Sequence, residues 1–426
     1  MTDSGVPSPK HAGAVQTGQA AFYPYYAGFS GRFAKATLAN LSAKCAGLVF
    51  DPWNGAGTTT AACAELGLEA YGSDLNPVMV VVAKGRLLAP KTSGSIAPLA
   101  KRVVDFVKDE EILSDDPLNV WFRPDAARVI RNLELAVFKT LVAPEVLEGR
   151  QGSIVGASDL ACFFYIGLFN VVRTLLAPLR SSNPTWMRRP AADARIGATR
   201  ATVASLFDES MSLLTDALVV STVQPRKVQQ RLEIALGDSS SIPLEKESVS
   251  TVLTSPPYCT RIDYAIATAG ELALIQGAGA FDTLRLSLMG TAKIRPTVAQ
   301  SLLWGPTCLK FLEDVYEHSS VASKSYYYKS HCQYFDLLYR SIEEIGRVLK
   351  PGGNCALVVQ NSHYKEVLND LPTICIEMAE GHGLALSEAH TFDVKNSFSR
   401  LNSRATKYSE ASARVEREEV VILERC

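Results

Sequence analysis

The strongest constraint on the fold is a strand that ends in two consecutive prolines. Residues 249–254 read Val-Ser-Thr-Val-Leu-Thr, a β-branched and apolar run typical of a buried strand. The next four residues are Ser255, Pro256, Pro257 and Tyr258. Because a proline cannot donate a hydrogen bond to a neighbouring strand, the strand must end there. The sequence therefore predicts a rigid corner that carries a hydroxyl group and an aromatic ring.

A second apolar run, from residue 47, leads through a glycine-bearing loop into a helix. This run ends at Asp51, the loop contains Gly55 and Gly57, an Ala-rich helical stretch begins near Thr58, and a further apolar run ends at Asp74. Such a β-loop-α-β pattern opens a doubly wound sheet, in which ligands bind at the carboxyl ends of the strands. An acid about 20 residues after the loop is where a ribose is usually held. A nucleoside ligand therefore fits the pattern, although the glycines alone are equally consistent with a tight turn.

The same alternation returns towards the C-terminus. A strand is expected at residues 232–236, an amphipathic helix at 334–349, and strands at 354–360 and 418–424. Between residues 91 and 231 the alternation is replaced by helical patterns. The fold class predicted from these patterns is α/β, a Rossmann-like doubly wound sheet with a mainly helical insertion.

Together, these residues resemble the S-adenosylmethionine-dependent amino-methyltransferases of DNA. The hallmarks of that family are a DPF-x-G-x-G-T loop and an (S/D/N)-PP-(Y/F/W) tetrapeptide, and residues 51–58 and 255–258 read DPWNGAGT and SPPY. The resemblance implies a methyltransferase core at residues 20–90 and 232–426, with a second insertion at 271–330. It also implies S-adenosyl-L-methionine as the cofactor, and residues 22–34 are loosely similar to a further cofactor-binding segment of the family.

The resemblance carries over to individual residues. It implies that Asp74 holds the ribose of the cofactor, that Asp238 lies near its adenine, and that Trp53 replaces the usual Phe as an aromatic wall. The full cofactor-binding set that it implies is Asp51, Trp53, Gly55, Gly57, Thr58, Asp74, Asn76 and Asp238. The catalytic set that it implies is Ser255, Pro256, Pro257 and Tyr258. No metal ion is expected.

The tetrapeptide also suits the chemistry of an exocyclic amino group. The lone pair of such an amine is delocalised into the base, so an enzyme must hold the amino hydrogens and direct the lone pair at the methyl group. The Ser255 hydroxyl and the Pro256 carbonyl offer two acceptors, and Tyr258 offers a face for a flipped base. Cys259 is interpreted as a packing residue.

Ser255 indicates cytosine N4 as the target, because in the resembling family serine at this position goes most often with cytosine. The alternatives that stay open are adenine N6 in DNA, guanine N2 in RNA, and a catalytically silent DNA-binding subunit. The net charge of −1 gives no overall attraction to nucleic acid, so binding must depend on local basic patches. Arg188, Arg189, Arg261 and Lys329 are the candidate contacts to double-stranded DNA.

Residues 91–231 are a candidate DNA-recognition region, although their basic residues are equally consistent with a solvated helical face. A restriction or defence-system partner is a further expectation.

Residues 1–19 lack the features of a signal peptide and are expected to be a disordered leader. The apolar segment 160–172 is too short to span a membrane, so we expect a buried helix there. The nine cysteines form no C-x-x-C pair, which favours a cytoplasmic protein without a zinc site.

Overall fold

The computed structural model describes residues 6–10, 18–25, 28–142, 154–181, 186–223, 231–259, 263–277, 279–295, 298–393 and 417–426. The strands of these residues are β1 (Val49–Asp51), β2 (Ala70–Asp74), β3 (Leu232–Leu236), β4 (Val249–Thr254), β5 (Leu349–Gln360), β6 (Ser362–Tyr364), β7 (Val367–Asn369), β8 (Leu384–Asp393) and β9 (Arg417–Arg425). Seven of them form one sheet in the order β3-β2-β1-β4-β5-β9-β8, and β6 and β7 form a separate hairpin.

The first five strands of the sheet run parallel to their neighbours. Strand β9 is antiparallel to both β5 and β8. The order of the strands along the chain reverses between β1 and β4, since β2 and β3 lie on one side of β1 and β4 lies on the other. Such a reversal leaves a crevice at the carboxyl ends of the strands. The predicted α/β, Rossmann-like fold is confirmed.

Helices cover both faces of this sheet. The helices of the described residues are α1 (Gly31–Lys44), α2 (Thr58–Leu66), α3 (Pro77–Gly85), α4 (Ser93–Asp105), α5 (Pro124–Leu141), α6 (Asp159–Leu175), α7 (Arg200–Val219), α8 (Tyr264–Ala267), α9 (Ala269–Ile275), α10 (Ala280–Ser287), α11 (Pro306–Glu317), α12 (Tyr328–Val348) and α13 (Leu371–Glu380). Helices α1, α2 and α3 share an apolar cluster with Val49 and Leu253. Helices α11, α12 and α13 share another with Phe50 and Val252. Burial on both faces explains why β4 is apolar throughout.

The described part of residues 91–231 is mainly helical and packs directly on the sheet domain. Helix α6 lies against α3, and a Cβ atom on Gly85 would approach Ile166 Cδ1 to 2.6 Å. The apolar stretch Ala161–Phe169 of α6 is buried throughout, so the expected buried helix is present. Among the described residues, no helix is both long and apolar enough to cross a membrane.

Part of the expected disordered leader contacts the body of the protein. The Pro9 carbonyl accepts a hydrogen bond of 2.8 Å from the Ser30 amide, and Lys10 forms an ion pair of 3.1 Å with Glu418 on β9. Residues 18–21 form a single 3-10 turn in which Gln19 is buried. The described residues of this segment are therefore held by contacts with α1 and the sheet, which the local composition of the segment does not reveal.

Candidate active site

A cleft of about 1100 Å³, measured with its open mouth, lies at the carboxyl ends of β1 to β4. The structure brings eleven of the twelve predicted cofactor-binding and catalytic residues to this cleft. They are Asp51, Trp53, Gly55, Thr58, Asp74, Asn76, Asp238, Ser255, Pro256, Pro257 and Tyr258. The parallel sheet explains the grouping, because strands distant in the chain end side by side at one edge.

Asp51 fastens β1 to β4 at the point where the strand order reverses. Its carboxylate accepts hydrogen bonds from the Thr254 hydroxyl at 2.5 Å, the Thr59 hydroxyl at 2.6 Å and the Trp53 amide at 3.1 Å. Thr59 also lies 3.1 Å from the Leu253 carbonyl. Burial raises the pKa of Asp51 to about 6, and these hydrogen bonds oppose that rise. Asp51 therefore fixes the relative positions of the two loops that border the cleft.

Asp74 fixes the glycine loop from the end of β2. One carboxylate oxygen accepts the Gly55 amide at 2.9 Å, and the other accepts the Asn76 amide at 2.8 Å. Burial raises the pKa of Asp74 to about 6. The Asn76 side chain caps α3 by accepting the Val78 amide, and it donates to the Thr268 hydroxyl at 2.9 Å. Asp74 thus presents to the cleft a carboxylate whose orientation is fixed by two backbone hydrogen bonds. The described contacts of the Asn76 side chain stabilise the start of α3 and its packing on Thr268.

Gly57 is the one predicted cofactor-binding residue that does not line the cleft. It is buried, it has a φ of 81° at the start of α2, and a Cβ atom there would lie 2.7 Å from Ala83 Cβ. Glycine is needed at this position for the left-handed backbone and for the close packing of α2 on α3. Gly55, with a φ of 49°, is the glycine that faces the cleft.

Asp238 follows β3 and is half-buried at the far side of the cleft. Its Oδ1 accepts hydrogen bonds from the Ser240 amide at 2.8 Å and the Ser240 hydroxyl at 2.7 Å. Its Oδ2 makes no hydrogen bond to the part of the chain that the structure describes. An acceptor thus remains available to a ligand at this position.

The proline corner keeps two acceptors free at the cleft. The Ser255 hydroxyl and the Pro256 carbonyl form no hydrogen bond within the described residues. The Pro257 carbonyl, in contrast, accepts the Tyr334 hydroxyl at 2.8 Å. The corner therefore offers a polar pair at the cleft while its second proline is tied to α12.

Sequence reasoning missed several groups that hold this corner. The Tyr264 hydroxyl accepts the Tyr258 amide at 3.2 Å, and burial raises the pKa of Tyr264, so its hydroxyl stays protonated at neutral pH. The sequence pattern places Tyr334 only in an amphipathic helix and Thr254 only in a strand. Their hydroxyl groups were the signal that could have identified them, because a buried hydroxyl needs a partner.

Three of the four predicted DNA contacts are exposed on the surface. Arg188 and Arg189 lie in an exposed loop, and Lys329 lies in the first turn of α12. Lys293 donates a hydrogen bond to Asp282 and lowers the pKa of that carboxyl, and Arg189 adds a smaller contribution. Arg189 is therefore close to α10, whose last residue, Ser287, lines the cleft. The predicted contact Arg261 lies outside the described residues.

Arg173, another basic residue of the region 91–231, contacts other parts of the protein. Arg173 lies 4.2 Å from the ring centre of Tyr23 and 3.6 Å from the buried carboxylate of Glu271. Its Nη2 donates to the Pro24 carbonyl at 3.2 Å. Arg173 thus holds the N-terminal segment against α6 and α9, which is an internal role rather than a surface contact.

The fold and the cleft define a class of protein: a Rossmann-like α/β protein with an open cleft where the strand order reverses. Comparison with known proteins finds a distant relative, the Type II methyltransferase M.AvaI of Nostoc sp. (strain PCC 7120 / SAG 25.82 / UTEX 2576). The two are 24% identical over 384 residues, which covers 79% of this chain and 72% of the relative. The protein of the same name from Anabaena variabilis matches equally. No protein-family model matches the sequence.

Proposed function

We propose that this protein is a DNA methyltransferase that transfers a methyl group from S-adenosylmethionine to the N4 amino group of cytosine in duplex DNA. The observation that carries the proposal is that one cleft gathers the Asp51 to Thr58 loop, the Asp74 carboxylate and the Ser255 to Tyr258 corner. The distant similarity to a Type II methyltransferase supports the same reaction class. A restriction or defence-system partner is part of the proposal.

The donor groups of the cleft fit S-adenosylmethionine. Each oxygen of Asp74 accepts one backbone hydrogen bond and keeps a lone pair for a ribose hydroxyl. Asp238 Oδ2 is available for the amino group of an adenine. Tyr25, Phe29 and Trp53 supply aromatic walls. The cofactor would supply a methyl group made electrophilic by its sulfonium. S-adenosylhomocysteine would be the leaving group, and the methylated amine would release one proton to water.

The corner residues would hold the amino group that accepts the methyl group. The Ser255 hydroxyl and the Pro256 carbonyl would each accept a hydrogen bond from one N–H group of the amine. This would turn the nitrogen lone pair out of conjugation with the base. Because Pro257 and Tyr258 are tied by hydrogen bonds to α12 and α8, the two acceptors are fixed before the base arrives. A buried nucleophile is not needed, and burial raises the pKa of the Cys259 thiol, which keeps it protonated.

The target base would reach the cleft by leaving the duplex. Tyr258 would stack on the flipped base, while Arg188, Arg189, Arg261 and Lys329 would contact phosphates. Serine at position 255 supports cytosine N4, as the resemblance implies, and adenine N6 is the second outcome to be tested.

Product analysis tests the proposal directly. The purified protein is incubated with isotopically methyl-labelled S-adenosylmethionine and duplex DNA of mixed sequence, and the nucleosides are identified by mass spectrometry. We expect labelled N4-methylcytosine with the wild-type protein and none with Ser255→Ala. Labelled N6-methyladenine would support methyl transfer to DNA but would show that the target base is adenine. No labelled nucleoside in the DNA, including the case in which a parallel reaction with structured RNA yields labelled guanine, would overturn the proposal.

A further inference from the structure

Helix α8 carries the tyrosine that holds the proline corner, yet the helix is too short to keep its own position. It has four residues, Tyr264–Ala267, and in the chain it lies between the corner and α9. A single helical turn is not stable by itself in water, so its position depends on contacts at its two ends. The start is held by Asp263, which caps the helix and pairs with Arg285 of α10. The end is held by Thr268.

Thr268 lies where α8 ends and α9 begins, and it is buried. Its hydroxyl donates to the Tyr264 carbonyl at 3.1 Å, with the Ala265 carbonyl at 3.5 Å as a weaker second acceptor. The same hydroxyl accepts a hydrogen bond of 2.9 Å from Asn76 Nδ2. Thr268 therefore ties α8 to the segment that follows β2, far away in the chain.

A series of four hydrogen bonds connects the acid after β2 with the proline corner after β4. The Asn76 amide donates to Asp74 at 2.8 Å, and the Asn76 side chain donates to Thr268 at 2.9 Å. The Thr268 hydroxyl donates to the Tyr264 carbonyl at 3.1 Å, and the Tyr264 hydroxyl accepts the Tyr258 amide at 3.2 Å. All five residues line the cleft. The series therefore sets the corner relative to Asp74.

The contact between Asn76 and Thr268 is shielded from water, so its loss is costly. Asn76 is 2% exposed and Thr268 is 3% exposed. The other side-chain atom of Asn76, Oδ1, accepts the Val78 amide at 3.1 Å. A rotation of the Asn76 amide group would place two donors against each other, so Nδ2 has to face Thr268. Without the Thr268 hydroxyl, a buried donor would lose its acceptor and α8 would lose its tie to β2.

We propose that Thr268 is a positioning residue that sets the Tyr258 corner relative to the cofactor acid Asp74, acting through Tyr264. This inference rests on the proposed function, since it concerns the alignment of the target amine with the methyl group. The amine has to approach the methyl group in line with the bond that breaks, and a small displacement lowers the rate. Asp74 and the corner follow different strands, β2 and β4, and the bond between Asn76 and Thr268 joins the two.

The test measures single-turnover methyl transfer to duplex DNA at saturating S-adenosylmethionine. Thr268→Val removes the hydroxyl and keeps the size of the side chain. We expect its rate to fall by about threefold to tenfold, as for the loss of one hydrogen bond, with the cofactor affinity of the wild type in calorimetry. Thr268→Ala, which places no methyl group against the Asn76 amide, is the second variant and should show the same loss. Thr268→Ser retains the hydroxyl and should restore the rate.

The matched control is Thr215→Val on α7. The Thr215 hydroxyl donates to the carbonyl four residues earlier, that of Met211, just as the Thr268 hydroxyl donates to Tyr264. Thr215 does not line the cleft. The control therefore removes the same kind of bond away from the site, and it should keep the wild-type rate.

A double variant separates positioning from a general loss of stability. Because Thr268 acts through the Tyr264 hydroxyl, the variant with both Tyr264→Phe and Thr268→Val should be about as slow as the slower single variant. If the two losses multiply instead, the proposal is overturned.

The wild-type protein in the same assay distinguishes the two levels of the argument. If the wild type methylates DNA and both Thr268→Val and Thr268→Ala do so equally fast, the role of Thr268 is refuted and the proposed function stands. If the wild type transfers no methyl group to DNA, the proposed function fails and this inference fails with it.

Discussion

The hydroxyl oxygen of Tyr264 lies 3.2 Å from the backbone nitrogen of Tyr258 and accepts its hydrogen bond. Tyr264 is the first residue of α8, and the N-cap of that helix, Asp263, forms a buried ion pair of 2.5 Å with Arg285. The Tyr334 hydroxyl holds the Pro257 carbonyl from the other side. Helices on two sides therefore set the shape of the corner, which the proline residues alone do not.

Tyr264→Phe removes only the acceptor of the Tyr258 amide. We expect methyl transfer to slow by about threefold to tenfold, as for the loss of one hydrogen bond, with unchanged cofactor affinity. Single-turnover rates and calorimetry with the cofactor measure the two effects. Tyr316→Phe, at an exposed position of α11, is the control and should keep the wild-type rate. A wild-type rate in Tyr264→Phe would contradict the positioning role.

Ser255→Ala removes one of the two free acceptors at the cleft. Loss of a group that contacts the reacting amine typically lowers the rate about 100-fold or more, and we expect this effect with normal cofactor affinity. Transfer of labelled methyl groups to DNA measures the rate. Ser248→Ala changes a half-buried serine whose hydroxyl donates only to the Glu245 carbonyl, and it serves as the matched control. Equal rates in the two variants would contradict the role of Ser255 as an acceptor for the reacting amine.

Asp74 should make cofactor binding depend on pH. Burial raises its pKa to about 6, so the carboxylate is ionised above that pH and loses acceptor capacity below it. We expect cofactor affinity to be constant above pH 7 and to fall by up to about tenfold per pH unit below 6. Calorimetry between pH 5 and 8 measures the profile.

Asp74→Asn is the control for this profile and should bind the cofactor weakly at every pH. The pKa of Asp51 is also raised to about 6, but Asp51 is present in both proteins, so the difference between the profiles reports Asp74. Identical profiles for wild-type and Asp74→Asn proteins would show that Asp74 does not hold the cofactor.

Arg189→Gln tests the exposed loop beside α10. We expect weaker DNA binding of similar size on all sequences, and a slope of log affinity against log salt that is smaller by about 1. Fluorescence anisotropy over a range of salt concentrations measures both. Lys101→Gln makes the same charge change at an exposed position on α4 and should leave the slope as it is. An unchanged slope in Arg189→Gln would remove this loop from the DNA interface.

The α/β fold was predictable because its strongest signals are local. Strand β4 is buried on both faces, so its sequence is apolar throughout and its end is marked by prolines. Strand β8 gave no such signal, because Leu384 is its one buried residue and the others are half-buried or exposed. Sequence reasoning assigned neither this strand nor the helix α13 before it.

The sequence by itself determined the strands, their ends and the polar residues that follow them, because backbone chemistry at prolines and glycines acts within a few residues. Only the tertiary structure decided where those residues point. It turned Gly57 towards Ala83 rather than the cleft, and it tied the corner to Tyr264 and Tyr334. These outcomes depend on packing between segments far apart in the chain, which local sequence does not specify.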